Sequence, residues 1–331
     1  MGKVKTNEEW LEGQLRFLSA WGEEVGPLAK DVRHEYGWHT ALKLAALNHA
    51  IGVFSPVARG AVERGWATES IYVDLFAGSG ANLLPSGDWI AGSPVIAGHA
   101  KKPFDRIICV ESDASRKEAL CERLRLTGTK ALDVICGDCN TLVSEVSHLV
   151  NTRKPLIFLA VDPEGMEIHW ETLRALAWQF KKMDFFINLT HGAQREFGAA
   201  IASDRASPSL QDLTGLSLSE ILLDSNGNVP QAYTTRVREV LGKKYGETTT
   251  VRGESNQPVY HVMVYARQTR GDSPWRNAYG DIHRRLSTLT NDHIRGAMNL
   301  IKGRAIEGWS QPTPGSGGPH PDPDGERPKE H

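Results

Sequence analysis

Four carboxylates stand where apolar runs give way to turns: Asp74, Glu111, Asp138 and Asp162. The first opens Asp74-Leu-Phe76-Ala-Gly78-Ser-Gly80, in which the glycines let the backbone turn tightly and approach a ligand, and Phe76 offers an aromatic face. The last opens Asp162-Pro-Glu-Gly165. Its Glu164 has the chemistry of a general base toward a hydroxyl or amine, of a recognition group for a cation, or of a cap on a helix beginning near Ile168.

Two common phosphate-binding loops are excluded by spacing. A dinucleotide loop needs a third glycine where Leu83 stands and an acid about 20 residues on, whereas Glu111 lies 31 residues past Gly80. The Gly-Lys-Ser/Thr ending of a phosphate-cradling loop is also missing. Cys136 and Cys139 form a C-x-x-C across a strand end without a second ligand pair, so they read as packing cysteines and no metal site is expected. His191, after the fifth strand, and Asn188, within it, are further candidates to face a substrate.

Apolar runs and turn residues predict the elements that position these groups. Ile71 to Asp74 is the first strand, Phe104–Glu111 the second, Asp133–Asp138 the third, Pro155–Asp162 a continuously apolar fourth and Met183–Leu189 the fifth. Helical spacing separates them at Ser115–Leu126, Thr141–Val150 and Trp170–Lys181, an alternation that indicates a doubly wound α/β sheet. Ligands bind such sheets outside the carboxyl ends of the strands.

Upstream, Trp10, Leu11, Leu15, Phe17, Leu18 and Trp21 mark an amphipathic helix, and Trp38 to His49 reads as another. Within the latter, Lys43 either holds an anion at the site entrance or extends to the surface. Residues 82–91, with Pro85, Gly87 and Asp88, read as a loop insertion, followed by a helix with Ser93 at its cap and Pro94 in its first turn. The segment from Arg195 to Tyr245 is helical and interrupted, and is expected to cover the site. Thr248–Arg252 and Val259–Ala266 form an antiparallel hairpin.

The expected divisions are an N-terminal helical extension (1–60), an α/β core (61–195), a helical insertion or cap (196–245), the hairpin with C-terminal helices (246–308) and a disordered Pro/Gly-rich tail (309–331). Charge is nearly balanced, with 38 basic and 40 acidic residues, so the overall field announces neither a nucleic-acid nor a membrane partner. A basic, aromatic stretch containing Arg267, Arg270, Trp275, Arg276, Tyr279, His283, Arg284 and Arg285 nevertheless has the composition of either an RNA- or DNA-binding element or a solvated helix. Four cysteines, no signal peptide and no apolar run of membrane-spanning length point to the cytoplasm.

The succession of strand-end acids with a terminal hairpin resembles the class I S-adenosylmethionine-dependent methyltransferases over about residues 70–190 and the hairpin. That resemblance implies a Rossmann-like sheet of seven mostly parallel strands, with S-adenosyl-L-methionine as cofactor. By position it assigns Asp74, Gly78 and Gly80 to the methionine part, Glu111 to the ribose hydroxyls and Asp138 to the adenine amino group, with Cys139 beside the adenine. A carboxylate can accept both hydroxyls of a ribose, and a sulfonium is favoured near carboxylates and an aromatic face such as Phe76.

Wider motifs, Tyr72-Val-Asp-Leu-Phe-Ala-Gly-Ser-Gly80, Gly92-Ser-Pro94, Val110-Glu-Ser-Asp113, Gly137-Asp-Cys-Asn140 and Val161 to Trp170, resemble the bacterial three-Cys-motif partner (TcmP) family over about residues 38–300. The family implies a three-Cys-motif protein as partner. Enzymes that methylate exocyclic amines carry Pro-Pro-aromatic after the fourth-strand residue, where this chain has Pro-Glu-Gly, so the ring that stacks on a base is missing. Asp162 and Glu164 are the candidates for orienting or deprotonating an acceptor, with a nucleic acid or a small molecule as substrate. A cofactor-binding subunit without its own transferase activity is the alternative, followed by a metal-dependent nucleic-acid processing enzyme.

Overall fold

The computed structural model describes residues 5–129, 131–266 and 275–304, with the backbone alone for 34, 275 and 276. The expected disordered tail (309–331) and the basic run from Arg267 to Arg276 lie outside the described residues or side chains.

In chain order the elements are α1 (Asn7–Val25), β1 (His34–Glu35), α2 (His39–Glu63), β2 (Glu69–Asp74), β3 (Ala81–Leu83), β4 (Trp89–Ala91), α3 (Ser93–Gly98), β5 (Arg106–Glu111), α4 (Ala114–Leu124), β6 (Leu132–Cys136), α5 (Val143–Leu149), β7 (Pro155–Val161), α6 (Trp170–Gln179) and β8 (Met183–Thr190). There follow α7 (Gly192–Ala202), α8 (Pro208–Thr214), α9 (Leu218–Ser225), α10 (Val229–Glu239), β9 (Tyr245–Arg252), β10 (Pro258–Ala266), α11 (Trp275–Leu286) and α12 (Asn291–Ile301).

Seven strands form one sheet in the order β6-β5-β2-β7-β8-β10-β9, parallel except where β10 pairs antiparallel with β8 and β9. The expected seven-stranded, mostly parallel architecture with a terminal hairpin is therefore present. From β2 the chain winds outward through β5 and β6, then returns to place β7 on the other side of β2. That reversal puts the topological switch point between Asp74 and Asp162.

Alternation along the strands divides the core in two. Tyr72 and Phe158 pack toward α1, α2 and α12, whereas Ile71, Val73, Ile157 and Leu159 pack toward α6 and the 196–245 helices. The latter helices thus cover a face of the sheet, where Leu210, Leu213, Val229 and Tyr233 meet Trp170 and Leu173. The expectation that they roof the site is corrected: none of residues 196–245 lines the cavity at the strand ends. An interrupted amphipathic pattern shows that a face is buried, without showing which surface buries it.

Three other expectations change. Residues 82–91 are not a plain loop, because β3 and β4 pair antiparallel around the Pro85–Asp88 turn and β1 adds beside β3. Gly92, not Ser93, is the N-cap of α3. Helix α2 is long and apolar enough to cross a membrane by length and composition alone, although most of its apolar window is buried inside the protein.

Arg123 fastens the N-terminal segment to the sheet. Fully buried on α4, it donates to the carbonyls of Val25, Gly26, Ala29 and Val32 at 2.8–3.3 Å and to that of Ser79 at 2.7 Å. These carbonyls include the negative end of α1, which suits a cation. Burial pulls the guanidinium pKa down to about 10, so it remains charged at neutral pH. Arg123→Met leaves several buried carbonyls without a donor and is expected to destabilise the fold by about 3–5 kcal/mol. Urea unfolding checks this, and a loss below about 1 kcal/mol would contradict it.

Candidate functional site

A cavity of about 870 Å³ opens at the carboxyl ends of β2, β5, β6 and β7. Its floor is the turn after β2, which stays stitched to both neighbouring strands: the Leu75 N–H donates to Ala160 on β7 and the Ala77 N–H to Val110 on β5. The chain then bends through Gly78 (φ 63°) and Gly80 (φ 84°). Gly92 packs directly on this turn, its N–H donating to the Gly80 carbonyl at 2.8 Å, and a Cβ there would stand 2.8 Å from the Gly80 carbonyl carbon. A side chain at residue 92 would displace the turn. Arg123, through the Ser79 carbonyl, holds it from the other side.

Glu111 sits at the end of β5 with 5% of its surface exposed. One carboxylate oxygen accepts from the Gly78 N–H at 2.8 Å and the other from the Asp113 N–H at 2.9 Å, while Arg116 stands 3.8 Å away. Each oxygen keeps a further lone pair for a hydroxyl donor. On the next turn, Asp138 accepts from the N–H and side-chain amide of Asn140. Asn140 also donates to the Glu167 carbonyl and accepts from the His169 N–H and Thr172 hydroxyl, so it ties the turn after β6 to the approach to α6. No role for Asn140 follows from the sequence, because its three connections lie 27–32 residues away.

Cys139 is buried beside Asp138, and burial pushes its thiol pKa up to about 12. Cys136 is exposed, with its Sγ directed to the Ser112 carbonyl. The two thiols occupy different environments. Among the described residues no group of three or more His, Cys, Asp or Glu side chains could hold a metal ion.

The opposite wall carries Asp162. Lys43 reaches inward to pair with both its oxygens at 2.9 and 3.0 Å, and the Asn188 amide donates to it at 2.8 Å. Of the two sequence readings of Lys43, extension to the surface is overturned. Its ammonium also lies 5.5 Å from the Tyr36 ring and 5.9 Å from that of Tyr260.

Glu164 lies at the mouth, where the Tyr36 hydroxyl donates to it at 3.2 Å and Arg116 stands 3.7 Å away. Burial and then Glu164 raise the Tyr36 pKa, which keeps this phenol protonated as a donor. Since α6 begins at Trp170 with His169 at its cap, Glu164 does not cap it.

The structure therefore brings Phe76, Gly78, Gly80, Glu111, Asp138, Cys139, Asp162, Glu164 and Asn188 to one cavity. Two candidates do not line it. Asp74 is fully buried beneath the floor, accepting from the Tyr72 hydroxyl at 2.8 Å and the Phe76 N–H at 3.1 Å. Its carboxylate braces the turn. His191 faces away and pairs with His261, ring nitrogens 3.2 Å apart.

Among the described residues five carboxylates line the cavity (Glu111, Asp138, Asp162, Glu164 and Glu167) against three cations (Lys43, Arg116 and Arg195). The site is net negative. It is roofed by Tyr36, the first turn of α2 and the β9–β10 turn with Ser255 and Gln257.

No family model matches the chain, and no curated protein does either. Solved structures similar in chain path include protein LPL1258 from Legionella pneumophila, with 12% identity over 73% of this chain and 94% of that one at a TM-score of 0.42. Trm1 from Pyrococcus horikoshii, solved with S-adenosyl-L-methionine, has 11% identity over 78% and 76% of the two chains and a TM-score of 0.38. The Bacillus cereus O-methyltransferase solved with SAH has 13% identity over 65% and 80%, with a TM-score of 0.35. The sheet itself is a doubly wound, Rossmann-like one that ends in an antiparallel hairpin. These likenesses concern the chain path, and the site stands on its own geometry.

Burial raises the pKa of Asp74 to about 6 from its ordinary 3.8, against the pull of the Ser93, Tyr72 and Phe76 hydrogen bonds. The folded protein thus keeps this proton where the unfolded chain has released it, and the stability it contributes is lost as pH rises from about 4 through 6. Asp74→Asn should remove that component, on the order of 3 kcal/mol between pH 4 and 7. Urea unfolding across this range is the check: the variant should lose less stability with rising pH than the parent, and parallel profiles would contradict the assignment.

Proposed function

We propose that this chain is an S-adenosyl-L-methionine-dependent methyltransferase of the three-Cys-motif partner type. One observation carries the reading: the buried Glu111 carboxylate, anchored by two backbone N–H groups, meets the glycine turn and four more acidic residues, Asp138, Asp162, Glu164 and Glu167, in one net-negative cavity. The residues fit that cofactor. Gly78 has open space where a Cβ would stand, Glu111 can accept a ribose diol, Asp138 can accept from an exocyclic amine, and Phe76 and Cys139 supply less polar wall. When bound, the cofactor supplies an electrophilic methyl group on a sulfonium.

The chain's own contribution is alignment, exclusion of water and handling of the acceptor's proton. Lys43 and Asn188 fix the Asp162 carboxylate, which then orients an acceptor bearing a hydroxyl or amine. Glu164 is the group that takes its proton at the mouth. Tyr36 and Arg116, both directed to Glu164, hold its exposed carboxylate in place at the mouth. The acceptor is a nucleic acid or small molecule.

A second reading, a cofactor-binding subunit active only beside a three-Cys-motif protein, is favoured by the occupied state of both carboxylates. A carboxylate already engaged by a cation meets an acceptor only once a substrate or partner displaces its neighbour.

Transfer of a radiolabelled methyl group to cell RNA, DNA, protein and metabolite fractions tests the two readings. Label incorporated by the isolated chain supports the first, whereas incorporation only after a three-Cys-motif protein is added supports the second. No incorporation in either case would overturn both. Glu111→Gln should weaken binding of the demethylated cofactor about 10- to 100-fold, the loss expected for hydrogen bonds to a charged group, and an unchanged affinity would contradict the ribose assignment.

A further inference from the structure

At the end of the sheet opposite the cavity, two indoles stand in solvent among cations. Trp66 is 63% exposed and Trp178 is 77% exposed. The Arg64 guanidinium lies 4.4 Å from the Trp66 ring and the Lys181 ammonium 4.5 Å from the Trp178 ring. Trp66 follows α2, Arg153 and Lys154 precede β7, and Trp178 to Lys182 precede β8, so all belong to connections entering neighbouring strands.

These connections are bound together. The Lys182 ammonium donates to the Trp66 carbonyl at 2.5 Å, the Thr68 N–H to the Lys154 carbonyl at 3.0 Å, and the Ile157 N–H to the Lys182 carbonyl at 2.9 Å. Segments 64–68, 151–154 and 178–182 contain five cations and no carboxylate. The nearest acids in sequence are Glu63, at the end of α2, and Glu69, which is paired with Arg106. In a chain of near-neutral charge this is a local basic and aromatic surface.

We propose that this surface binds a single-stranded polynucleotide, with Trp66 and Trp178 as stacking platforms and Arg64, Arg153, Lys154, Lys181 and Lys182 along the phosphates. Every base has a π-face that an exposed indole can take, and cations spaced around such platforms track the backbone. Three of the five cations are lysines, which the cores of protein interfaces deplete and a phosphate backbone recruits. A duplex buries its base faces and leaves the indoles without a role. The surface lies about 20 Å from the cavity, the length of the intervening strands, so it anchors a strand independently of cofactor chemistry.

Fluorescence anisotropy of a labelled oligouridylate of about 15 nucleotides, titrated with the full chain and no cofactor, tests the proposal. Binding should weaken steeply with salt, and Trp66→Ala and Trp178→Ala should each lower affinity about tenfold without moving the thermal midpoint. Lys181→Gln should shallow the salt dependence by about one ion. Competition by oligothymidylate as effective as by oligouridylate, or weaker, assigns the sugar preference and supports the proposal either way. Absence of binding at low salt, unchanged affinity in both Trp variants, or equal competition by polyglutamate or duplex DNA would overturn it.

Discussion

The hydrogen bond from the Gly78 N–H to Glu111 joins the two halves of the site. One partner belongs to a turn that glycine makes possible, the other to the end of the adjacent strand, and neither reaches the other unless β2 and β5 pair in parallel register. A carboxylate this deeply buried is costly without donors, and the turn supplies one while Asp113 supplies the second. The arrangement of the turn and the orientation of the carboxylate are therefore one constraint. Arg123, Gly92 and Asp74 all act on it, through the Ser79 carbonyl, the Gly80 carbonyl and the Phe76 N–H of the same turn.

This constraint also explains the role of the N-terminal segment. Helix α1 and the residues after it present carbonyls to Arg123, whose remaining hydrogen bond is to the turn itself. Residues 36–44 then complete the cavity, with Tyr36 reaching Glu164 and Lys43 reaching Asp162. The segment preceding the first strand of the main sheet is thus part of the site as well as part of the core.

Much of the architecture was legible in the sequence because parallel strands buried on both faces are written as apolar runs. Pro155 to Val161 is such a run, and the acids that end these strands marked the edge on which the cavity lies. What the sequence withheld were long-range contacts. Lys43 is a lysine in an apolar helix, and its connection to Asp162 spans 119 residues. Arg123 looks like a surface residue of a charged helix until its five carbonyl partners are in place. The β3–β4 hairpin was hidden because each strand is only three residues long and its turn residues dominate the local pattern. Asp74 was placed correctly on the sheet edge, but a strand-end acid can point into a crevice or under it, and that choice depended on Tyr72 and Ser93.

The central claim, that Glu111 and the glycine turn form a nucleoside site, is tested most directly by a crystal structure grown with saturating S-adenosylhomocysteine. The account predicts its ribose hydroxyls within hydrogen-bond distance of the Glu111 carboxylate and its adenine beside Asp138 and Cys139. Density for the ligand elsewhere on the chain, or a cavity that stays empty at saturation, would contradict it.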